Sequence, residues 1–428
     1  KFLQNKFAKK PEVVAANIKV MHAGYNFADT IEALPSSYTV LSANLKSGTY
    51  RNVMGNQAIA WGFLAAAERA NKELFLGSYP ITPASDILHE LAKHKNLGVK
   101  TFQAEDEIAG ICSAIGASFT GSLAITTTSG PGLALKGEGL GLAIMAELPL
   151  VVVNVQRGGP STGLPTKTEQ SDLMQALYGR NGESPSVVLA SSTPGNCFDW
   201  AYMASKITLE HNTPVVLLSD GYLGNGAEPW KIKSTLDMPE ILPSIAIEGE
   251  EYQPYARNKE TLARKLALPG TKGLEHRLGG LEKEDITGNV SYDAENHEKM
   301  VGIRAEKIKR IANIIPKQEI FGKEEGDLLV IGWGGTHGSL YSVVDSLLKQ
   351  GKKIALCQFN YINPLPKNTS EIFKNYKQII VCELNSGQFA NYLRMNFQGT
   401  IFKQYNKIQG FPFTTIELES HFKTLLLK

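Results

Sequence analysis

One loop of this sequence combines an arginine with several glycines and hydroxyl side chains, directly after an apolar run typical of a buried strand. The apolar run covers residues 148–153, and the loop reads VQRGGPSTGLPTKTEQ over residues 155–170. In open α/β sheets ligands bind where the parallel strands end, so Arg157 stands at a position suited to an anion. Its guanidinium presents donors in a fork that matches a carboxylate, and Thr166 and Lys167 add a hydroxyl and a second positive charge. The alternative for Arg157 is a surface salt bridge.

An acidic side chain and a rigidly held hydroxyl follow two other predicted strand ends. Glu105 comes directly after the predicted strand end at residues 102–104 and opens a helix rich in small residues. Acids are favoured at a helix N-terminus by the helix dipole, so a structural role and a role in a ligand crevice are equally open. Thr82 lies between Pro80 and Pro83, and each proline keeps the residue before it extended. This presentation suits a binding site, but a plain strand-to-helix connector fits equally well.

A glycine-rich segment invites comparison with nucleotide-binding motifs. Residues 332–338, GWGGTHG, follow a predicted strand and open a helix, but His337 replaces the last glycine of the G-x-G-x-x-G fingerprint. We therefore predict a tight strand-to-helix turn, with dinucleotide binding as the weaker alternative. The four cysteines are far apart and form no C-x-x-C pair. This spacing indicates reduced thiols in a cytoplasmic protein and argues against a zinc site or an iron–sulfur cluster on this chain alone.

The overall composition argues against two broad classes of partner. The formal net charge is +2 and no basic run is interleaved with aromatic residues, so we expect no nucleic acid partner. No uncharged apolar stretch approaches the roughly 18–20 residues of a membrane span, so we expect no membrane insertion. The sequence begins with Lys1 and no signal-peptide pattern follows, which suggests a fragment or a processed product.

The residues above are positioned by alternating strands and helices, a pattern that predicts an α/β fold with a parallel sheet covered on both faces. Strands are predicted over residues 74–77, 122–128, 148–153, 214–218, 327–332, 353–357 and 378–382. Helices are predicted over residues 57–70, 83–93, 105–119, 198–211, 296–314 and 339–350. We predict a connector over residues 1–50, a first α/β domain over 51–228, a proline-rich linker or surface excursion over 229–320, and a second α/β domain over 321–428.

Several segments together resemble one enzyme family. They are YPITP at residues 79–83, AEDE at 104–107, TTTSGPG at 126–132 and the loop at 155–170. In combination they resemble the α subunit of 2-oxoacid:ferredoxin (acceptor) oxidoreductases, over roughly residues 40–428. The second domain, with YINPLP at residues 361–366, is similar to the transketolase C-terminal-like domain of that family. Residues 1–45 resemble the tail of a γ-type domain that some members carry in front of the α part.

The resemblance implies that residues 51–228 form a thiamine-diphosphate-binding domain of the pyrimidine type. Glu105 matches the carboxylate that hydrogen-bonds the aminopyrimidine ring and so promotes loss of a proton from the thiazolium carbon. Three further positions match residues that contact the cofactor: Tyr79, Ile81 and Gly130.

The resemblance also implies a substrate, which is a 2-oxoacid. Thr82 and Arg157 match residues at the substrate's carboxylate and reacting carbonyl, and Thr166 matches a position that faces the rest of the acid. We favour 2-oxoglutarate, because Arg157 and Lys167 together could serve two carboxylates. Pyruvate and branched-chain 2-oxoacids are the alternatives.

The metal motif of thiamine enzymes and the cysteines of an iron–sulfur cluster are both missing, and their absence implies partners. The family holds the diphosphate and Mg²⁺ with a Gly-Asp-Gly motif, whereas only Ser219-Asp220-Gly221 comes near it here. We therefore expect a β subunit to supply the diphosphate site, Mg²⁺ and a [4Fe–4S] cluster. The expected assembly is (αβ)₂. It would pass the acyl group to coenzyme A and electrons to ferredoxin. A non-catalytic scaffold subunit of the same fold is a further alternative, and a one-polypeptide transketolase or decarboxylase is disfavoured by the missing metal motif.

Overall fold

The computed structural model describes residues 1–32, 36, 39 and 41–427, and it contains two compact units, Lys1–Gly48 and Thr49–Lys428. The first unit holds helices α1 (Phe2–Lys6) and α2 (Pro11–Thr30). Proline at the first position of α2 fits a helix start, because its missing N–H would have no intrahelical partner there. Helix α2 lies within the segment that was predicted as a connector, residues 1–50.

The second unit begins with strands and helices that alternate along the chain. Its strands up to residue 231 are β1 (Tyr50–Met54), β2 (Leu74–Ser78), β3 (Val99–Gln103), β4 (Leu123–Thr128), β5 (Val151–Gln156), β6 (Val187–Ala190), β7 (Val215–Asp220) and β8 (Ala227–Lys231). The helices are α3 (Gly55–Arg69), α4 (Ser85–Leu91), α5 (Glu107–Phe119), α6 (Gly130–Leu135), α7 (Gly137–Met145), α8 (Leu173–Tyr178), α9 (Cys197–His211) and α10 (Gly221–Asn225). Strands β1 and β8 form a separate antiparallel pair.

The rest of the second unit supplies another set of alternating elements. Its strands are β9 (Phe321–Gly322), β10 (Gly326–Trp333), β11 (Ile354–Phe359), β12 (Tyr361–Asn363), β13 (Tyr376–Glu383) and β14 (Phe402–Asn406). Its α-helices are α11 (Ala294–Arg310), α12 (His337–Lys349), α13 (Thr369–Lys374), α14 (Gln388–Asn396) and α15 (Thr415–Leu426). Short 3-10 helices cover Ala92–Leu97, Thr235–Asp237, Ile311–Asn313 and Gly334–Thr336. No helix in the described ranges is long and apolar enough to cross a membrane.

Two sheets organise this unit and confirm the predicted α/β class. The larger sheet has the strand order β12-β6-β7-β5-β4-β2-β3, and the smaller has the order β14-β13-β10-β11-β9. All pairs in the larger sheet are parallel except β12 with β6, and the smaller sheet is parallel except for β9. Strand β5, with the sequence VVVNVQ, is buried along its whole length, as expected for a strand covered on both faces.

The larger sheet contains two strands that were not predicted from the sequence. Strand β6 is short, and β12 comes from the predicted second domain, where Tyr361 pairs with Leu189. The two predicted domains therefore share a sheet as well as a continuous hydrophobic core. A pairing between segments so far apart leaves no local periodic pattern from which it could be predicted.

A buried ionic cluster anchors the segment that was predicted as a linker or surface excursion. The Glu147 carboxylate, after α7, accepts hydrogen bonds from both Nη atoms of Arg257 and from Lys307 Nζ, the last at 2.6 Å. Burial opposes the charged form of Glu147, but the two cations outweigh it, so the pKa of Glu147 lies below its usual range. The cluster joins residues 257 and 307 firmly to the first α/β domain.

The glycine-rich segment at residues 332–338 forms the predicted tight turn, and its backbone contacts the first domain. The Gly335 N–H donates to Asp220 Oδ2 at 3.1 Å. A Cβ atom on Gly334 would lie 2.5 Å from Gln170 Nε2, and one on Gly335 would lie 2.5 Å from Asp220 Oδ2. The glycines therefore permit close approach between the two predicted domains.

We expect Gly335→Ala to lower the free energy of unfolding by roughly 1–3 kcal/mol, because the added methyl must displace a buried carboxylate. Urea unfolding of the full chain measures this loss. The matched control is Gly338→Ala three residues later, since Gly338 lies in α12 with nothing within 4 Å of an added Cβ. Equal stability of the two variants would contradict the proposed packing role of Gly335.

Candidate active site

The C-terminal edge of the larger sheet brings together four of the residues predicted from the sequence. Tyr79 directly follows β2, Glu105 and Gly130 follow β3 and β4 by two residues, and Arg157 directly follows β5. These strands are neighbours in the order β3-β2-β4-β5. Adjacent strands lie ~4.8 Å apart, so the four strand ends span about 14 Å, the size of a small-molecule site.

Arg157 is buried and joins two of the loops at this edge. It is 7% exposed, and its Nη1 donates to the Thr82 carbonyl oxygen at 2.6 Å. Within the described part of the chain Arg157 forms no salt bridge, and its Nε has no hydrogen-bond partner. The alternative role of Arg157 in a surface salt bridge is therefore not seen among the described residues. The guanidinium is fixed along one arm and keeps unused donor capacity for an anion.

Glu105 lies in the loop between β3 and α5, outside the helix that it was predicted to open. Helix α5 begins at Glu107, because the Asp106 carboxylate accepts a hydrogen bond from the Ala109 N–H at 2.7 Å and acts as its N-cap. Since Asp106 and Glu107 occupy the cap and the first turn, Glu105 is not needed for either. Its side chain is exposed at the sheet edge, where a ligand can reach it.

The other residues near β2 differ in how accessible they are. Tyr79 is 36% exposed, and Thr82 is exposed as well. Ile81 is partly buried and packs against the hydrophobic core. The Ala84 N–H donates to the Ile81 carbonyl at 2.8 Å, so these residues form a turn and α4 starts at Ser85, two residues later than predicted.

A buried lysine holds the first residue of α5, just after the loop that carries Glu105, and it was not predicted from the sequence. Lys136, between α6 and α7, is fully buried, and its Nζ donates to the Glu107 carbonyl at 2.7 Å. Burial lowers the pKa of Lys136 to about 8, against the opposing effect of the Glu107 and Asp106 carboxylates. Its position, one of two charges with Glu138 in an otherwise apolar and glycine-rich helical run, is the sequence signal that could have pointed to it.

A second buried group, Asp172, supports the turn at Gly130. A Cβ atom on Gly130 would lie 2.9 Å from Asp172 Oδ1, so glycine is required for this close approach. Asn154 Nδ2 donates to Asp172 Oδ2 at 2.9 Å. Burial raises the pKa of Asp172 to about 6, and the neighbouring Glu169 adds to this effect. Asp172 was not among the site residues predicted from the sequence.

The loop after Arg157 is closed by its own backbone and tied to the second predicted domain. The Gly158 N–H donates to the Lys167 carbonyl at 3.0 Å, and the Leu164 N–H donates to the Gly158 carbonyl at 2.8 Å. At the end of the loop, Gln170 Nε2 donates to the Trp333 carbonyl at 2.7 Å. The loop is thus held at both ends.

The two side chains expected to face the rest of the substrate, those of Thr166 and Lys167, differ in exposure, and Lys167 is half-buried. Thr166 is exposed. The ammonium of Lys167 lies 4.3 Å from the ring centroid of Phe411, a residue of the second predicted domain.

Asp220, the nearest counterpart of a thiamine-enzyme metal ligand, is committed to protein contacts. Its carboxylate accepts hydrogen bonds from Thr168 Oγ1 and from the backbone N–H groups of Tyr222, Leu223 and Gly335. Burial raises the pKa of Asp220. Among the described residues, no three His, Cys, Asp or Glu side chains are grouped in a way that could hold a metal ion.

Residues 66–296 match the family model described as "Pyruvate flavodoxin/ferredoxin oxidoreductase, thiamine diP-bdg". The chain is 49% identical over 418 residues to the 2-oxoglutarate oxidoreductase subunit KorA of Mycobacterium tuberculosis, covering 97% of this chain and 64% of that protein. It is 33% identical over 338 residues to the 2-oxoglutarate synthase subunit KorA of Archaeoglobus fulgidus, covering 78% of this chain and 88% of that protein. The chain thus spans less than two thirds of the longer relative.

Two solved structures are similar to this chain in fold. A 2-oxoglutarate:ferredoxin oxidoreductase from Magnetococcus marinus, with 2-oxoglutarate, coenzyme A and succinyl-CoA bound, superposes with a TM-score of 0.89 at 32% identity, over 99% of this chain and 73% of that chain. A split-gene transketolase superposes with a TM-score of 0.50 at 10% identity, over 88% of this chain and 99% of that chain, which is a likeness of fold alone.

Proposed function

Since this chain belongs to the pyruvate flavodoxin/ferredoxin oxidoreductase family, we propose that it is the α subunit of a 2-oxoglutarate:ferredoxin oxidoreductase. The reaction breaks the C1–C2 bond of 2-oxoglutarate and releases CO₂. It transfers the succinyl group to the sulfur of coenzyme A and passes two electrons to ferredoxin. The observation that carries the proposal is that the buried Arg157 guanidinium, with an unused Nε, and the exposed Glu105 carboxylate follow strands that end at the same sheet edge.

The residues at this edge fit the pyrimidine half of thiamine diphosphate. Glu105 offers an exposed carboxylate, and beside Gly130 the buried Ser129 hydroxyl has no hydrogen-bond partner in the part of the chain that the structure describes. When bound, this cofactor supplies the carbon nucleophile that attacks the 2-oxo group. Glu105 would accept a hydrogen bond from the aminopyrimidine ring and hold a proton at its carboxylate.

The substrate's two ends are assigned to two parts of the site. Arg157 and the Thr82 hydroxyl would bind the carboxylate and carbonyl next to the bond that breaks, because a guanidinium offers two parallel donors. Thr166 and Lys167 would face the distal carboxylate. The relatives named for 2-oxoglutarate support this choice over pyruvate and branched-chain acids.

We assign the diphosphate site, Mg²⁺ and the [4Fe–4S] cluster to a β subunit, with ferredoxin as the electron acceptor and (αβ)₂ as the assembly. The support within this chain is Asp220, whose carboxylate already accepts hydrogen bonds from four groups of this protein.

The test is an assay of the chain with and without its β partner. We expect no turnover from the chain alone, and turnover with the partner that is highest for 2-oxoglutarate when 2-oxoglutarate, pyruvate and 3-methyl-2-oxobutanoate are supplied at equal concentration. Full activity of the lone chain would contradict the subunit assignment. A clear preference for an uncharged acid would contradict the assignment of Lys167 to a distal carboxylate.

A further inference from the structure

The segment between β14 and α15, residues 407–413, carries an aromatic ring to the loop that follows Arg157. Its last residue is fixed, because Phe413 is 3% exposed and its carbonyl accepts a hydrogen bond from Ser339 Oγ at 2.7 Å. Lys407 Nζ donates to the Pro412 carbonyl at 3.0 Å, which closes the segment on itself. Phe411, between these anchors, is still 55% exposed. The segment therefore presents this ring on a firm support rather than burying it.

Phe411 and its neighbour meet the loop at Lys167. The Lys167 ammonium lies 4.3 Å from the Phe411 ring centroid, within the range of a cation–π contact. A Cβ atom on Gly410 would lie 2.8 Å from Lys167 Cβ, so the backbone of the segment approaches the stem of the lysine closely. Both ends of the lysine side chain are thus positioned by the second predicted domain.

This contact holds the charge of Lys167 without neutralising it. The described residues place no carboxylate within salt-bridge distance of Lys167. Ordering a lysine side chain costs considerable rotamer entropy. An aromatic face can order the side chain in advance while leaving its positive charge unpaired. Lys167 is therefore pre-positioned, with its charge still free to attract an anionic group.

From this geometry we propose that Phe411 is a specificity-determining residue, which holds the Lys167 ammonium where the distal carboxylate of a dicarboxylic 2-oxoacid binds. The inference rests on the proposed function, because it takes the sheet edge at Arg157 as the site of the reacting end. It adds a residue of the second predicted domain to the choice between dicarboxylic and monocarboxylic substrates.

The test compares Phe411→Leu, which keeps an apolar side chain but removes the aromatic face, with Phe411→Tyr, which keeps the face. The measured quantity is the ratio of kcat/KM for 2-oxoglutarate to kcat/KM for 2-oxobutanoate in the α–β complex. We expect Phe411→Leu to lower this ratio about 2- to 5-fold, the factor expected for an exposed cation–π contact, and Phe411→Tyr to leave it unchanged. Ile408→Ala, an exposed apolar position in the same segment, serves as a control that leaves the ratio unchanged.

Two further measurements separate specificity from a structural effect. Competitive inhibition by glutarate should weaken in Phe411→Leu, while inhibition by pentanoate, which lacks the second carboxylate, should not change. In a Lys167→Met background Phe411→Leu should have no additional effect on the ratio, because the two residues act through one contact.

The outcomes also distinguish this inference from the proposed function. A wild-type complex that prefers 2-oxoglutarate, combined with an unchanged ratio in Phe411→Leu, would overturn the inference alone. Equal loss of activity with both substrates would overturn it as well, since that result indicates a general structural role. A wild-type complex without activity on 2-oxoglutarate would overturn both proposals.

Discussion

Glu105→Gln in the reconstituted α–β complex is expected to lower turnover by about 10²–10⁴-fold, the usual effect of removing a group that holds a reacting proton. The amide has nearly the same shape as the carboxylate but cannot take up a proton at the same position. Glu105 is exposed and lies outside α5, so the substitution should leave the fold unchanged. The measurement is kcat with saturating 2-oxoglutarate, coenzyme A and ferredoxin.

Two comparisons make this result specific. Glu68→Gln, the same change on the exposed surface of α3, should leave turnover unchanged. The thermal midpoint of the isolated Glu105→Gln chain should match that of the wild type. Nearly unchanged turnover in Glu105→Gln would instead support the non-catalytic scaffold alternative, in which the fold is retained and the β subunit performs the chemistry without this carboxylate.

The expected role of Glu105 depends on a detail that the sequence alone left undecided. Three acids in succession begin at residue 105, and any of them can complement a helix dipole. The structure assigns the cap to Asp106 and the first helical turn to Glu107. Which of the three acids caps α5 depends on the backbone dihedrals around one residue. Helix starts predicted from sequence are uncertain by one or two residues, which is enough to leave the role of Glu105 undecided.

The general fold was predictable because its signals are local. Runs such as residues 151–156, rich in valine and buried along their length, indicate parallel strands, and the rule that ligands bind at strand ends then places Arg157, Glu105 and Gly130 at one edge. Strand β12 gave no such signal. It is three residues long, and its partner β6 lies more than 170 residues earlier in the chain.

The supporting residues of the site were hidden for a related reason. Lys136 and Asp172 act through close approach to Glu107 and Gly130, which come from different elements. A buried charge has to be compensated by groups that only the folded chain brings near it, so its role cannot be assigned from its own neighbours in sequence. Conversely, Lys167 was predicted from its charge, but its contact with Phe411 required the second predicted domain to be in place.

Arg157→Met is expected to lower kcat/KM for 2-oxoglutarate roughly 30-fold or more, since truncating one partner of a buried, hydrogen-bonded charge pair costs about 2–5 kcal/mol. Arg157→Lys should fall between this variant and the wild type. Lysine keeps the charge but lacks the planar fork, so it cannot hold both the Thr82 carbonyl and a carboxylate in one plane. Most of the effect should be seen in KM if Arg157 binds the ground-state carboxylate, and in kcat if its contact forms with the reacting carbonyl.

The competing explanation is that Arg157 only joins the loops after β2 and β5. In that case both variants would lower the thermal midpoint of the isolated chain, and kcat/KM would fall by the same factor for every 2-oxoacid and for coenzyme A. Arg51→Lys in β1 provides the matched change at an exposed arginine that lies over the Trp61 ring, and it should alter neither quantity, because lysine keeps a cation–π contact there. A site built to bind a 2-oxoacid carboxylate predicts a loss confined to the 2-oxoacid. The KM for coenzyme A is therefore the measurement that distinguishes the two roles of this arginine.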